Sequence, residues 1–111
     1  MNVSVEHKNG VMVLAIEGEV DLNTSPNLRR ELQTLLQQKT KKLCVDLAAV
    51  KYIDSSGIAT LIEAQQKMHD SKGELRLASI PKKIYSVFEL AKLDAFFKIF
   101  PDKATALKGF A

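Results

Sequence analysis

Tryptophan is absent from this chain of 111 residues, cysteine occurs once, histidine twice and proline three times. A single thiol, Cys44, cannot close an internal disulfide, and inside the apolar stretch "KLCVDL" it reads as a small packed hydrophobe, consistent with a reducing cytoplasm. With one cysteine and two histidines, no Cys/His cluster can assemble a zinc site, and no metal or other cofactor is expected. No apolar run approaches the roughly 20 residues that span a bilayer, and the N-terminus lacks a basic region followed by an apolar stretch. Cytoplasmic residence without membrane insertion is therefore the expectation. Also lacking are the phosphate loop G-x-x-x-x-G-K-[ST] and the dinucleotide fingerprint G-x-G-x-x-G. Aromatic residues make up only 6%, and the formal charge of +3 is dispersed, with short clusters at Arg29-Arg30, Lys41-Lys42 and Lys82-Lys83. A nucleic-acid surface needs a denser basic stripe with interleaved aromatics, so no direct nucleic-acid partner is expected.

What is present suits one globular core: 46% hydrophobic and 26% charged residues, on a chain too short for two domains. Asn9-Gly10 is a tight-turn dipeptide between strands predicted over 3–8 and 11–17. "VMVLAIE" is apolar at successive positions, as expected of a strand buried on both faces. Ser25 reads as an N-cap, with Pro26 at the first helical position. The helix they open runs to about Gln38, with Leu28, Leu32, Leu35 and Leu36 on one face.

"KKLCVDL" is a third strand, and "AAVKYID" leads into a helix from Ser55 to about His69, striped by Ile58, Leu61 and Ile62. "ELRLAS" and "AFFKIF" are further strands, separated by a helix carrying Ile84, Val87, Phe88 and Ala91. A short helix from Pro101-Asp102 through Leu107 closes the chain. After the hairpin, strands and helices alternate, which predicts an α/β fold: a mixed, mostly parallel sheet of about five strands with about four helices on one side or both. No exposed apolar segment of any length suggests an oligomer, so a monomer is expected.

The chemistry concentrates in Asp54-Ser55-Ser56-Gly57 at a helix start. A nucleophile elbow would read G-x-S-x-G, but Ile53 stands where its first glycine belongs. His69 lies about 21 Å along the helix from Ser55, too far to serve it as a base. A receiver domain would need paired acids after its first strand, where this chain has His7-Lys8-Asn9. Helix capping by Asp54 is the structural reading, and it needs only one side chain. The remaining hydroxyls, beside a glycine that keeps the surface low, make a phosphorylation target.

A phosphate in the first turn gains about 0.3 to 2 kcal/mol from the helix amides. It is repelled by Asp54 by about 1 to 5 kcal/mol, depending on the local dielectric. Exposed to water the modified serine is tolerable. Pressed into a partner it is not, and binding weakens ten- to thousandfold for about 1.4 to 4 kcal/mol.

"VDLAAVKYIDSSGIATLI" resembles the signature of the STAS domain, specifically of the bacterial anti-sigma factor antagonists. "VLAIEGEVDLNTSPNLRREL" is similar to the family's second strand and first helix, and "IYSVFELAKLDAFFKIFPDKATAL" to its last third, so the resemblance spans nearly residues 1–111 as one domain. It implies a non-enzymatic protein that binds a GHKL-type serine kinase doubling as an anti-sigma factor. Unphosphorylated, it would hold that partner and free a sigma factor; phosphorylated, it would release it, and a PP2C-type phosphatase would reset it. The acceptor implied is Ser55, with Ser56 second, and the partner-binding residues are Asp21, Asp54, Ser55, Ser56, Gly57 and Ile58. Two positions depart from the family: Ala59 replaces a frequent second glycine and crowds the surface beside the acceptor, and Lys92 replaces a common turn glycine and alters a helix end. A STAS subunit of a lipid transporter or of a non-sigma partner-switching pathway is the alternative; a small enzyme with Ser55 as nucleophile is a third reading, lacking a base.

Overall fold

The structure, a computed structural model, describes residues 1–110. Its elements in chain order are β1 (Asn2–Lys8), β2 (Val11–Val20), α1 (Ser25–Gln37), β3 (Lys42–Ile53), α2 (Ser55–Asp70), β4 (Glu74–Ala78), α3 (Lys82–Leu90), β5 (Lys98–Phe100) and α4 (Lys103–Ala106). The five strands form one sheet in sequence order, β1 antiparallel to β2 and the remaining pairs parallel. This is the mixed α/β sheet expected. Asn9 and Gly10 turn the hairpin at φ 55° and 79°, the left-handed pair that such a two-residue loop requires.

When successive parallel strands lie side by side, right-handed crossovers place every connecting helix on the same face. Leu28 and Leu32 of α1, Leu61 of α2, and Ile84 and Phe88 of α3 accordingly share one core with Leu14, Leu47 and Leu77 of the sheet. The strand alternation sends the intervening residues Val11, Val13, Cys44 and Ala78 to the other face, where Ala106 of α4 covers them. Three helices on one side and a short one on the other therefore bury β2 on both faces.

Three boundaries differ from expectation. β2 does not stop at residue 17, and β3 does not stop after "KKLCVDL": both run on as a parallel pair to Val20↔Ile53, with register shifts beside Glu17 and between Gly18 and Glu19. Irregular pairing of this kind obscures the period-two pattern by which a strand is recognised. β5 is only Lys98–Phe100, because Phe97, at its entrance, is buried against Phe88 rather than extended along the sheet.

Candidate functional site

At the far end of the β2–β3 extension, the Asp54 amide donates to the Val20 carbonyl at 3.1 Å, continuing the pairing one residue beyond Ile53. The next residues open α2. Asp54 is extended, and its Oδ1 accepts from the Ser56 amide (2.9 Å), the Gly57 amide (3.2 Å) and the Ser56 hydroxyl (2.6 Å). The Ser56 hydroxyl is the largest influence holding the Asp54 carboxyl below its ordinary range. Desolvation opposes the shift, while the amides of Gly57, Ser56 and Leu22 reinforce it. The carboxylate is thus ionised and already engaged in capping.

The two hydroxyls divide sharply. Ser56 is half-buried and committed to Asp54, whereas Ser55 is exposed and its hydroxyl bonds no other described residue. Behind them Thr60 is buried and donates to the Ser56 carbonyl at 2.9 Å, tying down the first turn. Gly57 and Ile58, expected to face a partner, are instead buried. A Cβ on Gly57 would lie 2.7 Å from both Ile53 Cγ1 and Val20 Cγ1, so the missing side chain allows the helix start to seat on the strand ends rather than lowering the surface. The signal was available: Gly57 precedes Leu61, Ala64 and Met68 by four, seven and eleven positions, the spacing of the buried stripe.

Ala59, four residues after Ser55, is exposed beside it. Lys92 lies outside this site and takes φ 58°, adopting the left-handed turn rather than removing it.

Asp21 is half-buried in the turn after β2. Its Oδ1 accepts from the amides of Asn23 (2.9 Å) and Thr24 (3.0 Å), and its own amide donates to Thr24 Oγ1 (2.9 Å). The reading of Ser25 as N-cap is corrected: Thr24 flanks α1 and its carbonyl accepts from the Asn27 amide, Ser25 is the first helical residue and is buried, and no side chain caps the helix, the Asp21 carboxylate instead ordering the turn ahead of it. Sequence reasoning missed Leu22, which is 74% exposed while its amide faces the Asp54 carboxylate. An apolar residue inside the polar turn "DLNTS" was the signal.

Neither histidine approaches Ser55: His7 pairs with Met12 near the hairpin, and His69 is in the last turn of α2. Asp54, Ser55, Asp21 and Leu22 instead form a low rim where β2 and β3 end.

A five-stranded sheet with one antiparallel edge, whose β3–α2 junction presents a free hydroxyl beside a capping carboxylate, defines a small α/β domain built to display side chains at that junction. The chain belongs to the STAS domain family, whose model matches residues 2–106. The anti-sigma-F factor antagonist RsfB of Mycobacterium tuberculosis is 29% identical over 111 residues, covering 98% of this chain and 91% of RsfB. The anti-sigma-B factor antagonist of Listeria monocytogenes is 26% identical over 102 residues, with 89% of this chain and 90% of the relative covered. The crystal structure of an anti-sigma factor antagonist from Mycobacterium paratuberculosis matches with a TM-score of 0.88 at 26% identity, covering 96% of this chain and 90% of that one.

Proposed function

We propose that this protein is a non-enzymatic anti-sigma factor antagonist whose binding is switched by phosphorylation of Ser55. Its partner is a GHKL-type anti-sigma factor and serine kinase. The unphosphorylated form holds that partner and releases a sigma factor; phosphate on Ser55 ends the complex, and a PP2C-type phosphatase restores it. The observation that carries the reading is the contrast between the two serines: Ser55 is exposed with an uncommitted hydroxyl, while the Ser56 hydroxyl is held by Asp54 at 2.6 Å. A kinase can reach the first without breaking the helix cap.

Asp54 and Asp21 supply the negative surroundings that make a docked phosphate costly, since water is excluded from the complex and like charges then repel more strongly. Leu22, exposed on the rim beside them, adds an apolar contact. Intact-mass measurement after incubation with ATP and each GHKL-type kinase of the source organism tests this. One added phosphate is expected on the native chain and none on Ser55→Ala. Full phosphorylation of Ser55→Ala, or phosphorylation by no such kinase, overturns the assignment.

A further inference from the structure

The end of the molecule opposite Ser55 has a separate chemical character. Parallel β2–β5 all start there, and α1, α2 and α3 all finish there. Each of these helices ends in the same way. Lys39, Lys72 and Lys92 take φ 62°, 64° and 58°, donating their amides to Leu36, His69 and Glu89, while Thr40, Gly73 and Leu93 donate to Leu35, Met68 and Phe88. This hydrogen-bond pattern favours glycine at the left-handed position, because a side chain there strains the backbone. The chain has lysine at all three.

Around them the end of antiparallel β1 brings Lys8, and the starts of β3 and β5 bring Lys41, Lys42 and Lys98, to the same end, and Lys108 shares a depression with Lys8. Seven of these eight lysines are exposed and Lys42 is half-buried. Lys98 pairs with Glu74 at 3.5 Å, and the Lys41 ammonium donates to the Ser71 carbonyl. Among the described residues none of the other six makes an ion pair. The acids nearby are Glu6, which pairs with Lys103 beside that depression, and Asp70, Glu74, Glu89 and Asp94, so positive charge predominates.

Apolar side chains protrude within the same region. Leu90, in the last turn of α3, is 86% exposed, and Phe96, 39% exposed, stands beside His69 and Asp70 at the end of α2. Lysines compensate helix dipoles at C-termini, but that effect accounts neither for lysine at the left-handed positions nor for bare Leu90.

We propose that this lysine-rich end is a docking face for an anionic lipid surface, with Leu90 and Phe96 entering the headgroup region. Clustered lysines attract anionic headgroups, and flanking apolar side chains gain burial at the interface; neither spans the bilayer. Lysines without arginines, and apolar tips rather than a stacking groove, favour lipid over nucleic acid. Docked in this way, the protein turns Ser55 away from the membrane. The site at Ser55 and this face act independently.

Co-sedimentation with vesicles of phosphatidylcholine containing 30% phosphatidylglycerol, against pure phosphatidylcholine, tests the proposal. Binding to the anionic vesicles alone is expected, with strong weakening between 0.05 and 0.5 M salt. The triple variant Lys39→Gly, Lys72→Gly, Lys92→Gly relieves the left-handed strain, so it folds at least as stably while losing three charges. Its partition coefficient should fall roughly a hundredfold, about fivefold per lysine. Leu90→Ser should reduce the binding that survives high salt. Absence of binding to anionic vesicles, equal binding to neutral ones, or unchanged binding of the triple variant overturns the proposal. Tighter binding to a 20-nucleotide single strand than to the vesicles assigns the face to nucleic acid and overturns it equally.

Discussion

Gly57 determines how closely α2 approaches the strands, and so where Ser55 stands. An alanine there would gain helix propensity worth about 1 kcal/mol but place its methyl 2.7 Å from Val20 and Ile53, an overpacking that costs about 1 to 3 kcal/mol. The strain should prevail, because both neighbours are buried β-branched side chains with little freedom to rotate. Gly57→Ala is expected to lower the unfolding free energy by about 1 kcal/mol in urea titration. An unchanged midpoint would show that the helix start moves away freely. Asp54 illustrates a different economy: one oxygen receives two amides and a hydroxyl, so the cap is made without Ser55. The sequence disclosed the cap and the pair of hydroxyls, but not which hydroxyl the cap would take, since that depends on a rotamer.

Among the elements, α4 depends most on a single side chain. Arg76, buried on the sheet face opposite the three helices, donates to the carbonyls of Ala106 (3.1 Å), Lys108 and Gly109 (3.0 Å), and also pairs with Glu74. Its guanidinium lies between the rings of Phe100 and Phe110, 4.7 and 3.8 Å from their centroids. The segment pinned this way covers Val11, Val13 and Cys44. Arg76→Ala should cost about 3 kcal/mol, because it leaves three carbonyls and a carboxylate short of a partner. Burial, followed by the charge of Asp46, pushes the Cys44 thiol up to about 11, so native protein should react with thiol reagents slowly at neutral pH. Faster Cys44 labelling in Arg76→Ala, at a urea concentration where the sheet remains folded, is the expected sign that α4 has detached. Labelling at the native rate would mean that the apolar contacts of α4 suffice. In the sequence Arg76 was one basic residue within "ELRLAS", because its partners lie about 30 positions later.

For the molecule as a whole, acid stability follows from three carboxylates held below their ordinary values. Asp54 is lowered chiefly by the Ser56 hydroxyl, and Asp102 by the Thr105 amide and hydroxyl. Burial opposes the shift of Glu74, but its hydrogen bond and attraction to Arg76, joined by Lys98, prevail. In each case the unfolded chain takes up protons at a higher pH than the folded one. The stabilisation is therefore complete above the ordinary carboxylate range and lost as pH falls through the depressed values. Thermal midpoints should hold steady near neutrality and decline below about pH 5. Midpoints that rise on acidification would contradict these assignments.

Local chemistry in the sequence was sufficient for the Asn9-Gly10 hairpin, for α2 opening at Ser55 behind its Asp54 cap, and for the alternation that makes a mixed sheet. Turns, caps and amphipathic stripes involve residues a few positions apart, and a linear reading registers those directly. Tertiary structure alone decided that irregular pairing would carry β2 and β3 on to Val20 and Ile53, and that α4 would hang on Arg76. It also gathered Lys39, Lys72 and Lys92, far apart along the chain, at the end away from Ser55. The reason is directional: parallel strands joined by crossover helices bring every strand start and helix end to one pole, whatever the sequence distance between them.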